Sequence, residues 1–501
     1  MITALILVTA LLILGWGFYR SQPLGKLGLL AWLQSAVLML PWLAFFGLTA
    51  IGVNINLASV LFLLLLSIGL YIVLGRQLRI WAKAEESVNP SRVSLGDRPA
   101  PSAPDESPET SPLTANPSLS PPSIAPNSNL PQIPPEDLQA LKGIFGIDTF
   151  FATETIPYQN GVIFRGNLRG EPAASHQRLS ATLAERLGDR YRLFLVEGVD
   201  AKPVVVVLPS ANDPKPAGVV QTFLALILAI TTLATSLEAG GLMLGFDFFS
   251  ATDRLPEVLP IAVGIMAVLV AHEMGHRILA NRYQIKLSWP FFIPTWQIGS
   301  FGALTRFESI LPNRTVLFDI AFAGPALGGL LAFVMLLGGL LLSQPGSLFQ
   351  LPVELFQSSI LVGTLARVVL GDALQTELVG VHPLVILGWL GLVITAINLM
   401  PAGQLDGGRI VQAIYGRKTA GRTTVATLIV LGLATLVNPL SLYWAILILF
   451  LQRDLERPAL NELTEPDDAR AALGLLILFL MVTTLLPLTP SLAGRLGIGG
   501  S

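Results

Sequence analysis

The residues best equipped for chemistry stand in an apolar setting. In GIMAVLVAHEMGHRILA, residues 264–280, two imidazoles and one carboxylate interrupt a hydrophobic run. His272 and His276 are four apart, so a helix puts them on one face and both can reach one ion. Glu273 stands about 100° further round the helix, at ~3.6 residues per turn, where it can take a proton without ligating the ion. This is the HExxH arrangement of zinc hydrolases: two His ligands and a Glu as general base. The plain alternative is a pair of core histidines satisfied by neighbours. It sits poorly with a chain of only four His, because ionisable groups inside an apolar span are costly and are kept mainly for function.

A catalytic zinc takes three protein ligands and leaves one position open. The chain has no cysteine, which excludes thiolate zinc sites, disulfides and Cys nucleophiles. The third ligand must then be His, Asp or Glu. His382 opens a span from the opposite side, at the wrong depth. Glu308 is close in sequence but lies beyond a Gly- and Pro-rich stretch. Asp406, in NLMPAGQLDGGR, lies at the inner end of a span, at the depth of His272; its alternative role is a helix N-cap or an Asp-Gly turn.

These residues need membrane-spanning elements to hold them. Of 501 residues 52% are hydrophobic and 13% charged, about half the charge of a soluble domain. Several apolar runs exceed roughly 18 residues, enough to cross a bilayer. With a net charge of −2 there is no basic footprint for nucleic acid. Spans are expected near 2–19, 27–50, 56–75, 217–245, 257–280, 316–343, 381–400 and 471–490. The run 423–451 is interrupted at Asn438–Pro439, giving one kinked span or two short helices. The first run lacks a basic flank and a cleavage site, and reads as a retained span.

Between Pro99 and Pro135 stand 12 prolines among Ser, Asn and Ala; such a segment reads as a disordered tether. Residues 136–213 read as a small soluble α+β domain. PPEDLQALKGIF and SHQRLSATLAERLGDR carry helical spacing. FFATETIPY with GVIFRGNLRG, and YRLFLVEGV with PVVVVLPS, read as strand pairs. Residues 166–170, GNLRG, read as a turn, and His176 as a solvated residue. Lys and Arg flank the first connection and follow the third span, which puts the linker, the small domain, His272 and Asp406 on the cytoplasmic side. The loops at 246–256 and 344–380 then face outward.

AHEMGH in one span, FAGPALGG in the next and NLMPAGQLDGG in a later one resemble the site-2 protease family of intramembrane zinc metalloproteases. GNLRG, PFFIPTWQIGSFGALTRF and VHPLVILGW resemble its chloroplast and cyanobacterial branch, named for ethylene-dependent, gravitropism-deficient and yellow-green plants. The resemblance covers roughly 136–460. It implies one Zn2+ per chain on His272, His276 and Asp406, with Glu273 as general base. It implies hydrolysis of peptide bonds in or near transmembrane helices of membrane-protein substrates. Asn398, on the span before Asp406, is expected to donate a hydrogen bond to substrate or oxyanion.

The segment 287–310 holds Pro290, Pro294, Gly299 and Gly302 and cannot be a regular helix. It is expected as a re-entrant loop or hairpin whose edge pairs with an unwound substrate. The small residues around Pro325 permit close helix packing. Asp319 reads as an interfacial charge.

The expected architecture is an all-α polytopic bundle of about eight or nine spans with a soluble α+β domain inserted after the third. Its parts are 1–84 (three spans), 85–135 (linker), 136–213 (soluble domain), 214–460 (catalytic core) and 461–501 (last span and tail), in a bacterial plasma membrane or a thylakoid membrane. The rival classes are a catalytically silent zinc-binding scaffold and a metal or ion transporter. A transporter does not explain a Glu placed between the two ligands.

Overall fold

The structure is a computed structural model; it describes residues 133–499 except 159, 199–201, 437, 439 and 453, together with scattered positions between 15 and 77. The expected first three spans lie mostly, and the proline-rich linker almost entirely, outside the described residues.

The small domain forms as its sequence pattern predicts. Helix α1, Pro135–Lys142, starts on a proline at its first position, where no N–H is needed, and carries Glu136 and Asp137 in its first turn. Strands β1, Phe150–Tyr158, and β2, Gly161–Leu168, make an antiparallel hairpin. Helix α2, Pro172–Leu187, is capped by Glu171, whose carboxylate accepts from the N–H groups of Ala173 and Ala174. It buries Ser175, Leu179, Leu183 and Leu187, one residue per turn. Strands β3, Tyr191–Glu197, and β4, Pro203–Pro209, complete a sheet of order β1-β2-β4-β3. Phe150, Phe164, Leu195 and Val205 fill its core. Residues 166–168 of the expected turn belong to β2. His176 is half-buried rather than solvated: its ring faces Leu193 O at 3.2 Å, and burial holds its pKa below the usual value.

The outer edge of β3 is covered. Leu195 N–H donates to Leu460 O and Glu462 N–H to Leu195 O, while Leu460 and Asn461 donate to Leu311 and Pro312 carbonyls. Residues 460–462 thereby tie the sheet to the helical part of the chain.

Helices α3, Val219–Met243, α4, Leu255–Arg282, and α5, Arg314–Leu342, are long and apolar enough to cross a membrane. Their exposed faces carry Phe223, Ile227, Ile230, Val263 and Leu330, a surface suited to lipid. Between α4 and α5, strands β5, Phe291–Thr295, and β6, Gly299–Leu304, form the hairpin expected at 287–310. Thr235 of α3 anchors it by donating to Gly299 O at 2.6 Å.

The segment 344–380, expected as a plain loop, has structure of its own. Strands β7, Phe349–Pro352, and β8, Leu378–Val381, pair around helix α6, Ile360–Leu370. At 11 residues α6 is too short to register as a span. Helix α7, Pro383–Asn398, has 16 residues, about 24 Å at 1.5 Å each. It stops ahead of Pro401, which disfavours helical geometry in the residue before it. Helix α8, Asp406–Ala434, starts earlier than the expected run at 423 and breaks at Gly416, where φ is 79°. Helix α9, Leu440–Leu447, runs into a π-turn at Ile448–Gln452. Helix α10, Asp468–Leu485, is the fourth long apolar helix among the described residues, and α11, Pro490–Leu496, follows it.

Candidate metal centre

Helix α4 holds His272, Glu273 and His276 on its buried side, and their donor atoms all lie within 4.8 Å of one another. Asp406, first residue of α8, meets them from across the bundle. Its Oδ2 stands 3.0 Å from His272 Nε2 and 3.4 Å from His276 Nε2. His276 donates Nδ1–H to Ile320 O at 2.7 Å, which leaves the Nε2 lone pair facing inward. With both Nε2 atoms unprotonated, three electron-pair donors face one another at close range, and a cation between them would relieve that repulsion. Zinc ligands at 2.0–2.1 Å in a tetrahedron lie about 3.3 Å apart, close to the separations seen here. The donor set, two imidazoles and one carboxylate, therefore fits zinc.

The close approach of α4 and α5 depends on Gly324, since a Cβ there would collide with the His276 ring. A second glycine, Gly302, has φ of 109° and packs against the Asn398 amide.

Glu273 is fixed by a residue the sequence reading missed. Thr305, just beyond β6, donates its hydroxyl to Glu273 Oε2 at 2.7 Å, and both side chains are buried. Thr305 is itself held. Arg409 donates to Thr305 O at 2.8 Å and to Glu456 Oε2 at 3.0 Å, and its guanidinium stands 4.0 Å from Asp406 Oδ1. Arg409 also lies over the Phe307 ring. Arg409 lies three residues after Asp406, one helical turn away, and that spacing is a signal the sequence offers. Thr305 and Glu456 carry none, since only the fold brings them here.

A cavity of about 20 Å3, room for a single water, is lined by Glu273, His276, Thr305, Asn398, Asp406 and Gln452 among others. Asn398 reaches it, but its amide donates to Ile394 O at 2.9 Å and to Phe301 O at 3.4 Å, binding α7 to β6. The remaining polar residues are elsewhere. Glu308 accepts from Ala217 N–H, and His382 caps α7. Asp319 pairs with Arg470 and Tyr283, so it is a structural ion-pair partner and not a lone interfacial charge.

The profile of peptidase family M50 matches residues 260–438, and that of the EGY3 middle domain matches residues 139–215. The chain is 42% identical over 364 residues to probable zinc metalloprotease EGY2, chloroplastic, of Arabidopsis thaliana, covering 71% of this chain and 66% of that one. It is 37% identical over 413 residues to probable zinc metalloprotease EGY1, chloroplastic, of the same plant, covering 74% of each. To probable zinc metallopeptidase EGY3, chloroplastic, also of that plant, it is 33% identical over 380 residues, covering 70% of this chain and 65% of that one. The chain thus spans about two thirds to three quarters of the length of these relatives, and no solved structure matches it. With two family profiles falling on its sheet domain and its helical centre, and relatives of one kind aligned through most of its length, the chain belongs to peptidase family M50, the site-2 proteases.

Proposed function

We infer that this chain is an intramembrane zinc endopeptidase that hydrolyses peptide bonds in or near transmembrane segments of membrane proteins. The observation that carries the reading is the position of Asp406, whose one oxygen faces the Nε2 atoms of both histidines. His272, His276 and Asp406 hold the ion. When bound, zinc supplies Lewis acidity to a water and to the scissile carbonyl oxygen. Glu273 removes a proton from the attacking water as its oxygen bonds to the carbonyl carbon. It then delivers a proton to the leaving nitrogen as the C–N bond breaks. Thr305 holds one carboxylate oxygen of Glu273 and leaves the other for this transfer. Asn398 borders the same cavity and serves as a donor to substrate or oxyanion by exchanging its long 3.4 Å bond to Phe301 O.

A helical substrate hides its peptide bonds, so it must be extended locally before attack. The hairpin β5–β6 offers a backbone edge for that. The domain plan that fits this reading is three spans over 1–84, a linker over 85–135, the sheet domain over 136–213, the catalytic core over 214–460 and a last span with its tail over 461–501, eight or nine spans in all. The Lys and Arg distribution favours the sheet domain on the cytoplasmic side of a bacterial plasma membrane or a thylakoid membrane.

The test is Glu273→Gln in full-length protein with a transmembrane reporter substrate. A protease keeps its zinc and loses cleavage. Cleavage that survives the substitution overturns the assignment of the base. A wild type that holds zinc but cleaves none of a panel of transmembrane substrates favours the silent scaffold.

A further inference from the structure

Four buried side-chain polar atoms lack a hydrogen-bond partner among the described residues: Thr232 Oγ1, Thr295 Oγ1, Gln412 Oε1 and Gln452 Oε1. Buried acceptors are almost always paired, so each orphan calls for an explanation. Of these four residues only Gln452 borders the small cavity that holds Glu273, His276 and Asp406. It also borders a wider cleft of about 850 Å3, walled by β5, Leu304, residues 306–308, the start of α3 and Glu456–Arg457. Gln452 therefore lines both the open cleft and the catalytic cavity. Its backbone is fixed there: Gln404 N–H donates to Gln452 O at 3.0 Å. Gln452 is also the last residue of the π-turn at Ile448–Gln452. The residue is 7% exposed, so its orphan carbonyl is not simply satisfied by bulk water.

We infer that Gln452 is a substrate-binding residue whose side-chain carbonyl accepts a backbone N–H from the extended peptide segment lying between the cleft and Glu273. This rests on the proteolytic reading above and assigns to it a residue that reads the substrate backbone. In a helix the substrate's N–H groups are bonded internally. Once a stretch is unwound at membrane depth, each freed N–H and C=O needs a partner, because an unpaired one costs several kcal/mol in hydrocarbon. A glutamine amide answers both needs, since its carbonyl accepts and its NH2 donates. It does so whatever side chains the substrate carries, so Gln452 contributes hold on an extended backbone without selecting a sequence.

The experiment uses the full chain in detergent, carrying Glu273→Gln so that nothing is cleaved. The probes are an apolar hexapeptide carboxamide and the matching hydroxamate, each with every backbone amide N-methylated in turn. One N-methylation should weaken binding about two- to tenfold, the range for a neutral hydrogen bond. In Gln452→Met the parent peptide should bind more weakly by the same factor, and that N-methylation should cost nothing further. Gln452→Asn pulls the amide back by one methylene and should behave like the Met variant; it serves as the test if Gln452→Met does not fold. The inference is overturned if the penalty persists in these variants, or if they bind the parent as tightly as the Glu273→Gln reference. A carboxamide that binds with the expected pattern beside a hydroxamate that gains nothing counts against the zinc reading and supports Gln452. If neither probe binds, the Gln452 assignment falls.

Discussion

Replacing Thr305 by Val should leave the metal ligands in place and disable the base. The side chains are nearly isosteric, so packing changes little, while the 2.7 Å hydrogen bond to Glu273 Oε2 is lost. Both residues are buried, so no solvent hydrogen bond replaces it cheaply. A hydrogen bond to a charged group is worth about 1.5–3 kcal/mol, and each ~1.4 kcal/mol is a factor of ten in rate. Turnover should therefore fall roughly 10- to 100-fold if that bond aligns the base. Thr305→Ser keeps the donor and should recover most of the loss. The assay is cleavage of a transmembrane reporter in proteoliposomes, with zinc per chain measured on the same preparations. A Val variant with normal turnover refutes the argument. So does a Ser variant as slow as Val, because then packing and not the hydrogen bond is what matters.

Gly324→Val should drive a side chain into the His276 ring and lower bound zinc several-fold; metal analysis showing zinc undiminished would place α5 further from the site than it stands here. Asn398→Leu should retain zinc, lower turnover by about 10²-fold if its amide serves the oxyanion, and cost about 1 kcal/mol of stability through the lost bonds to Ile394 and Phe301; unchanged turnover removes it from the machinery. In the sheet domain, burial and the bond to Asp137 push the Tyr191 hydroxyl from its ordinary value near 10 up to about 12. The native state therefore keeps this proton where the unfolded chain has lost it, so stability present below pH 10 should be lost as pH rises from about 10 to 12. A thermal melt series across that window should show a steeper decline for wild type than for Tyr191→Phe, and parallel declines would exclude Tyr191 as the cause.

The parts of this fold that follow local rules could be read from the sequence. His272, Glu273 and His276 lie within one helical turn or so, and the apolar run around them leaves no other secondary structure open. The strands and helices of the sheet domain follow their periodicities. The hairpin at residues 291–304 follows from prolines and glycines that forbid a helix. What the sequence hides depends on contacts between distant segments. Thr305 reaches Glu273, and Glu456 reaches Arg409, only once β6 and the turn after the π-helix are placed beside α4 and α8. Helix α6 escaped because its apolar run is shorter than a span. Asp319 looked like an interfacial charge because its partner Arg470 is 151 residues away. Asp406 was legible as a candidate by depth and by family resemblance; its approach to both imidazoles is a matter of tertiary packing.

The most direct test of the central claim is zinc per chain in purified full-length protein, wild type beside Asp406→Ala. The account predicts close to one zinc in wild type and little in the variant, with both chains folded by circular dichroism. Zinc retained at full occupancy in Asp406→Ala, or a folded wild type that takes up no zinc, would contradict it.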